Sequence, residues 1–351
     1  MGLPGKLWAV TSFCAVPGIL LVGGCQQDDR PPPLDPNSDD DHQAGGGSSG
    51  VNENDGEGGY GGAGDGASVR YLRQWAGPEI WTTLIRTIAA SSDGVVYVSD
   101  ASRVFRVIDG TPEVFLTGAD LLTDGTNDQV EDLAVDAEGN VHVLTEPFNT
   151  EDRIFDEQGT LIGTIDFNDY TFPGYIAAVS PDEVYVIARD GMVKHENGET
   201  YVVYDAAALG GGTISCASEA VTVDHGQAYY LPGCNGSPIY SGPVDGSGMG
   251  LLAEDDPIED VLRESPFHAQ SSGFFGFSGM AAVPTGLMVN FERALVHVDD
   301  DGTWAEVLTS PLLDQAEEMT FDFHSAPVAV DDEHVYLNAQ NSIWIVETET
   351  P

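Results

Sequence analysis

The sequence predicts an all-β chain folded as a six-bladed β-propeller of four-stranded blades, closed by an N-terminal strand that completes the last blade. Three observations predict this. Runs rich in β-branched and aromatic residues begin at Val95 (VVYVSD), Asn140 (NVHVLT), Glu183 (EVYVIA), Gln227 (QAYYLP), Gly286 (GLMVNF) and His334 (HVYLNA), at intervals of 45, 43, 44, 59 and 48 residues. Each run follows an apolar segment and a tight acidic or glycine-containing turn, as in LAVDAEG from Leu133 and VAVDDE from Val328, so each repeat begins as a hairpin. Third and fourth strands follow most runs, as in RIFDEQGTLIGTID from Arg153, and a fixed unit of four strands belongs to propeller blades rather than to a sandwich.

From the N-terminus, Lys6 precedes an apolar run from Leu7 to Val22 that Pro17 interrupts. The run is shorter than the ~20 residues of a membrane span and suits the core of a signal peptide. It ends on Val22-Gly23-Gly24-Cys25, which resembles the lipobox of bacterial lipoproteins. That resemblance implies a signal peptide over residues 1–24, cleavage before Cys25 and lipidation of Cys25. Several acyl chains on one residue anchor stably where a single chain does not. Gln26 follows the cysteine. Under the sorting rule of enterobacterial lipoproteins this implies the outer membrane, on its periplasmic or cell-surface face.

Residues 26–68 are dominated by Gly, Asp, Ser and Pro and hold almost nothing to bury, so they read as a disordered tether behind the lipidated cysteine. A random coil of this length spans roughly 35 Å. Residues 69–351 remain for the propeller. The run SVRYLRQWAG, residues 68–77, is its closing strand, because the last repeat supplies only PVAV, HVYLNA and SIWIVE before the chain ends. Such an exchange removes open sheet edges. The first strand of blade one falls within WTTLIRTIAAS. The 59-residue interval holds AEDDPIEDVLRESPF, in which an aspartate cap and Pro257 start a short helical insertion between blades four and five.

The stretch GVVYVSDASRVFRVIDG from Gly94 resembles the NHL and SMP-30-like (TolB-like) propellers through its Gly-x-Val-Tyr-Val core, the following Asp, the Arg-Val pair and a glycine turn. The resemblance implies a ligand site at the mouth of the central channel. On its SMP-30-like side it implies an alternative, a Ca²⁺- or Zn²⁺-dependent lactonase-like hydrolase whose metal is held by acids and asparagines from several blades. In this chain the middle blades lack asparagines at matching places.

Composition narrows the partners. Formal net charge is −46, and lysine occurs only at Lys6 and Lys194. Nucleic acid is excluded as a ligand, since phosphate must be neutralised by Lys and Arg. The acidity has two readings, solubility and divalent-cation binding. Ca²⁺ is the one cofactor the acids would suit. The expected assembly is a monomer bearing a protein, peptide or glycan ligand. No nucleophile elbow, zinc-protease motif or phosphate loop is present. DLLTDGTNDQVED from Asp120 has Leu122 where a calcium loop carries an oxygen ligand at its third position, and reads as a solvated loop. His142 alternates with Val141 and Val143 and reads as packing between blades.

Aligning the repeats gives the mouth. Residues leading into the first strands are Arg86, Glu131, Asp132, Tyr175, Glu219, Ser278 and His324. Residues leaving the second strands are Asp100, Glu146, Arg189, Asn235, Asn290 and Asn338. In blade four a three-residue turn Asp224-His225-Gly226 pairs Val223 with Gln227. Counted outward, that register sets Cys216 opposite Cys234, so a disulfide is expected, contributing about 3 kcal/mol for a loop of this length.

Overall fold

Alternating side chains give each strand two faces, and in this protein both faces of nearly every blade are apolar. In the computed structural model the described residues are 70–76, 85–100, 102–121, 129–146, 150–171, 173–209, 220–232, 238–254, 277–291, 294–308, 328–331, 334–339 and 342–348. They form six four-stranded antiparallel sheets. Blade one is β2 (Thr87–Ala90), β3 (Val96–Ser99), β4 (Val104–Ile108) and β5 (Thr111–Leu116). Blade two is β6 (Gln129–Val135), β7 (Val141–Glu146), β8 (Glu151–Phe155) and β9 (Leu161–Asp166). Blade three is β10 (Tyr175–Ser180), β11 (Glu183–Ala188), β12 (Gly191–Glu196) and β13 (Glu199–Asp205). Blade four is β14 (Ala220–Asp224), β15 (Gln227–Leu231), β16 (Ile239–Pro243) and β17 (Gly250–Ala253). Blade five is β18 (Phe277–Val283), β19 (Gly286–Phe291), β20 (Ala294–Asp299) and β21 (Trp304–Leu308). Blade six is β22 (Val328–Val330), β23 (Val335–Ala339) and β24 (Ser342–Thr348). The N-terminal β1 (Arg70–Ala76) adds its fourth strand by pairing with β24, from Arg70↔Thr348 to Ala76↔Ile343.

The innermost strands β2, β6, β10, β14, β18 and β22 neighbour one another in sequence, and β22 meets β2, so the ring is closed. Each of the six hydrophobic clusters is shared between two consecutive blades. Tyr97 and Leu116 of blade one, for example, pack with Leu133, Val143 and Phe155 of blade two. Ile343 and Ile345 of blade six pack with Val96, Val98 and Phe105 of blade one. This explains why the second strands are almost continuously apolar: β3 and β11 are covered on both faces.

The hairpins are held by acids. Asp136 Oδ1 accepts from the amides of Glu138 and Asn140, both at 2.9 Å. Asp156 does the same for Gln158 and Thr160, at 3.0 and 2.8 Å. The hydroxyl and amide of Ser247 hold Asp245 below the usual carboxylate range, and Thr303 does so for Asp301. Much of the acidity is thus turn chemistry. Glycines finish the turns between third and fourth strands. Gly302 (φ +83°) packs so closely on the Leu252 carbonyl of the preceding blade that a Cβ there would run into it.

Three local features depart from the sequence reading. The blade-four hairpin is a two-residue turn, with Asp224 paired to Gln227 and Val223 to Ala228. His225 (φ 46°) and Gly226 (φ 77°) are both left-handed, the primed turn whose twist matches its strands, and Asp224 supports it by bonding His225 Nδ1 at 2.6 Å. Cys216 and Cys234 lie outside the described residues, as do residues 1–69 and residues 255–267, where a helical insertion is expected.

The second departure is His142, which is not simple packing between blades. It is fully buried in β7, with Nδ1 2.6 Å from Asp152 Oδ2 and Nε2 3.3 Å from Asp136 Oδ2. Burial opposes its charge, but the pull of Asp152 and the hydrogen bonds to both carboxylates outweigh burial and raise its pKa to about 9. The third is a four-residue helix, α1 (Gly118–Leu121), that runs into the start of the stretch from Asp120 read as loop, whose end from Gln129 belongs to β6. Asp120 reaches back to the Thr117 amide at 2.8 Å and its hydroxyl at 2.6 Å, as a capping box does.

Candidate mouth site

First strands begin, and second strands end, at the same end of the ring, so the mouth residues gather there by topology. Arg86 precedes β2, and its amide donates to the Ser99 carbonyl at 2.8 Å while Thr87 also pairs with Ser99. This is a bulge, and β6 has one at the equivalent place, between Val130 and Asp132, which turns Glu131 out of the ladder. Arg86 crosses to that bulge. Its Nη1 donates to Gln129 Oε1 at 3.0 Å and to the Val130 carbonyl at 3.4 Å, and lies 3.7 Å from Glu131 Oε2.

Asp132 ties three blades together. Its Oδ1 accepts from the Thr87 hydroxyl of blade one at 2.5 Å and its Oδ2 from the Ile176 amide of blade three at 3.0 Å. Burial outweighs these donors and pushes Asp132 up to about 6. Burial raises Glu131 as well, against the pull of Arg86.

The other aligned residues are placed as follows. Asp100 is fully buried after β3 and is spent on the Arg103 guanidinium at 2.5 Å and on Ser102. Tyr175 is half-buried at the start of β10. Asn290 and Asn338 occupy equivalent buried positions in β19 and β23, and Asn338 Nδ2 donates to the Ile85 carbonyl at 3.3 Å, joining blade six to blade one. Arg189 is exposed beyond β11. Glu219, Asn235 and His324 lie outside the described residues, as do the side chains of Glu146 and Ser278. The structure therefore brings Arg86, Glu131 and Asp132 together, and adds Thr87 and Gln129, which the sequence reading did not single out. The signal for these was available. Residues 87, 132 and 176, and likewise 86 and 130, are one repeat apart and sit side by side on the ring.

Among the described residues no three His, Cys, Asp or Glu side chains converge as a metal site requires. This arrangement gives each oxygen of Asp132 a protein donor. It can orient an anion or a hydrogen-bonding group at the mouth.

No family model matches the chain, and no curated protein sequence does. Solved structures that resemble it include a gluconolactonase of Xanthomonas campestris, 14% identical over 80% of this chain and 90% of that one, with a TM-score of 0.48. YCF48 from Cyanidioschyzon merolae is 13% identical over 78% of this chain and 98% of its own, with a TM-score of 0.46. A streptogramin B lyase is 13% identical over 80% and 98%, with a TM-score of 0.45. These are similarities to propeller structures at low identity.

Proposed function

We propose that the chain is an exported lipoprotein, anchored at the outer membrane through Cys25, whose propeller is a scaffold that binds a protein or peptide at the mouth end. One observation carries the choice of face. Two-residue hairpin turns occur at both ends, at 109–110, 181–182, 225–226 and 284–285 at the far end and at 189–190 at the mouth end. What sets the mouth end apart is the sequence between consecutive blades, which leaves a fourth strand and enters a first strand there and takes up 206–219, 254–276 and 309–327. Sequence spent on connections at one end of a rigid ring supports binding there, since loops on a scaffold carry function. The anchor rests on Val22-Gly23-Gly24-Cys25 and the polar tether behind it.

Three experiments test the reading. Metabolic labelling with a palmitate analogue should mark the wild-type protein and not Cys25→Ala, and an unlabelled wild type removes the anchor. A photoreactive residue at Tyr175, in intact cells, should give discrete adducts that the same residue at His225 does not. Equal adducts from both ends would defeat the choice of face. Sub-millimolar Ca²⁺ or Zn²⁺ binding by calorimetry, with lactone hydrolysis, would move the assignment to the metal-dependent hydrolase.

A further inference from the structure

Arg86 differs from Arg103, Arg106 and Arg153 in how its guanidinium is spent. Arg106 gives Nε and Nη2 to Glu113, at 2.9 and 2.5 Å. Arg103 gives Nη2 to the buried Asp100, and Arg153 divides Nε and Nη1 between Glu151 and the Asp120 carbonyl. Those cations are consumed by the fold. Arg86 makes all three of its contacts, to Gln129, Val130 and Glu131, through Nη1. Among the described residues nothing bonds its Nε or Nη2. One corner of the guanidinium is clamped to the neighbouring blade, its side chain is 39% exposed, and the Nε–Nη2 edge is left over. That edge accepts a planar carboxylate through two parallel hydrogen bonds, and clamping the opposite corner removes part of the ordering cost.

The chain has acids in large excess over bases, yet the nearest, Glu131, stays at 3.7 Å from Nη1 and off the open edge. We propose that Arg86 is the anion anchor of the mouth, receiving on Nε and Nη2 a carboxylate of the ligand, such as a peptide C-terminus or an acidic side chain. A singly charged carboxylate suits the place better than a phosphate, because Glu131 and Asp132 stand beside it and repel a dianion more strongly. Arg189, exposed at the same end and without an ion pair among the described residues, adds to the positive field. The proposal rests on taking this end as the binding face.

The test follows the Arg86 Nε–H resonance of the intact protein by ¹H–¹⁵N NMR, assigned with Arg86→Lys. Titrants are acetate, a short peptide with a free C-terminus, the same peptide amidated, and inorganic phosphate. The expected result is a saturable shift at Arg86 with acetate and the free-acid peptide and none with the amidated one. Arg86→Lys, which keeps the charge and loses the fork, should weaken the free-acid peptide on the order of tenfold. Tighter phosphate than acetate binding overturns the carboxylate preference. Shifts at other mouth residues with Arg86 unmoved overturn the anchor and leave the face standing. Shifts confined to the far-end turns overturn both.

Discussion

His142 should make the propeller lose stability at alkaline pH by an amount that its geometry sets. A neutral imidazole has one N–H, yet both ring nitrogens lie within hydrogen-bond range of carboxylates on fully buried side chains. The second oxygen of Asp152 has no partner among the described residues, so the cluster holds negative charge that only an imidazolium offsets. With the pKa near 9 in the fold against 6.5 for an ordinary histidine, the difference is worth about 3 kcal/mol at ~1.4 kcal/mol per pH unit. Because the folded value is the higher one, this contribution is fully present below pH 6.5 and is lost as pH rises through 9. Against a total stability of roughly 5–15 kcal/mol for a typical domain, that is a large share.

The assay is urea unfolding from pH 6 to 10 for wild type and His142→Gln, compared as a difference so that other titrating groups cancel. At pH 6 the variant should be less stable by about 3–5 kcal/mol, since two buried carboxylates lose their cation. The gap should narrow by about 3 kcal/mol by pH 10. A gap that stays constant across this range would falsify the charged clamp and leave His142 as a packed neutral ring.

The same logic applies to Asp132, whose folded value near 6 lies above its ordinary value: the stability it contributes is complete below pH 3.8 and lost as pH rises through 6. Asp132→Asn can still accept from Ile176 and bond Thr87, so it should unfold later than wild type at pH 7 and as wild type does near pH 4. Gly302→Ala adds a collision with the Leu252 carbonyl to left-handed strain and should cost more than ~2 kcal/mol, whereas Gly226→Ala, with open space around it, should cost only the ~1 kcal/mol of strain. Comparable losses in thermal melts would argue against that packing. Removing residues 70–76 leaves β24 as an open edge and should convert a single unfolding transition to a lower, broader one; an unchanged transition would mean that β1 does not close the ring. Free-thiol labelling of the unfolded, unreduced protein tests Cys216–Cys234. The observed register, carried outward unchanged, offsets the two by one residue, and a bulge at Glu219 like that at Glu131 would set them opposite again. Blocked thiols at both positions are the expected result.

The blades, their number and the closing strand were legible in the sequence because their causes are local. Side-chain alternation fixes the faces, the acidic turns fix where strands reverse, and a last repeat with three runs requires a fourth from elsewhere. The blade-four register was not legible, because whether Asp224 joins the turn or the ladder depends on the backbone twist that His225 and Gly226 adopt between paired strands. His142 reads as one more residue in an alternating strand until β8 places Asp152 beside it. The mouth divides in the same way. Sequence alignment found Arg86, Glu131 and Asp132, but only the docking of blades shows that Asp132 is spent on Thr87 and Ile176 while the outer edge of Arg86 remains open. Strand identity is set by neighbours two residues away, whereas the chemistry of this mouth is set by partners one repeat away, and closing the ring brings those together.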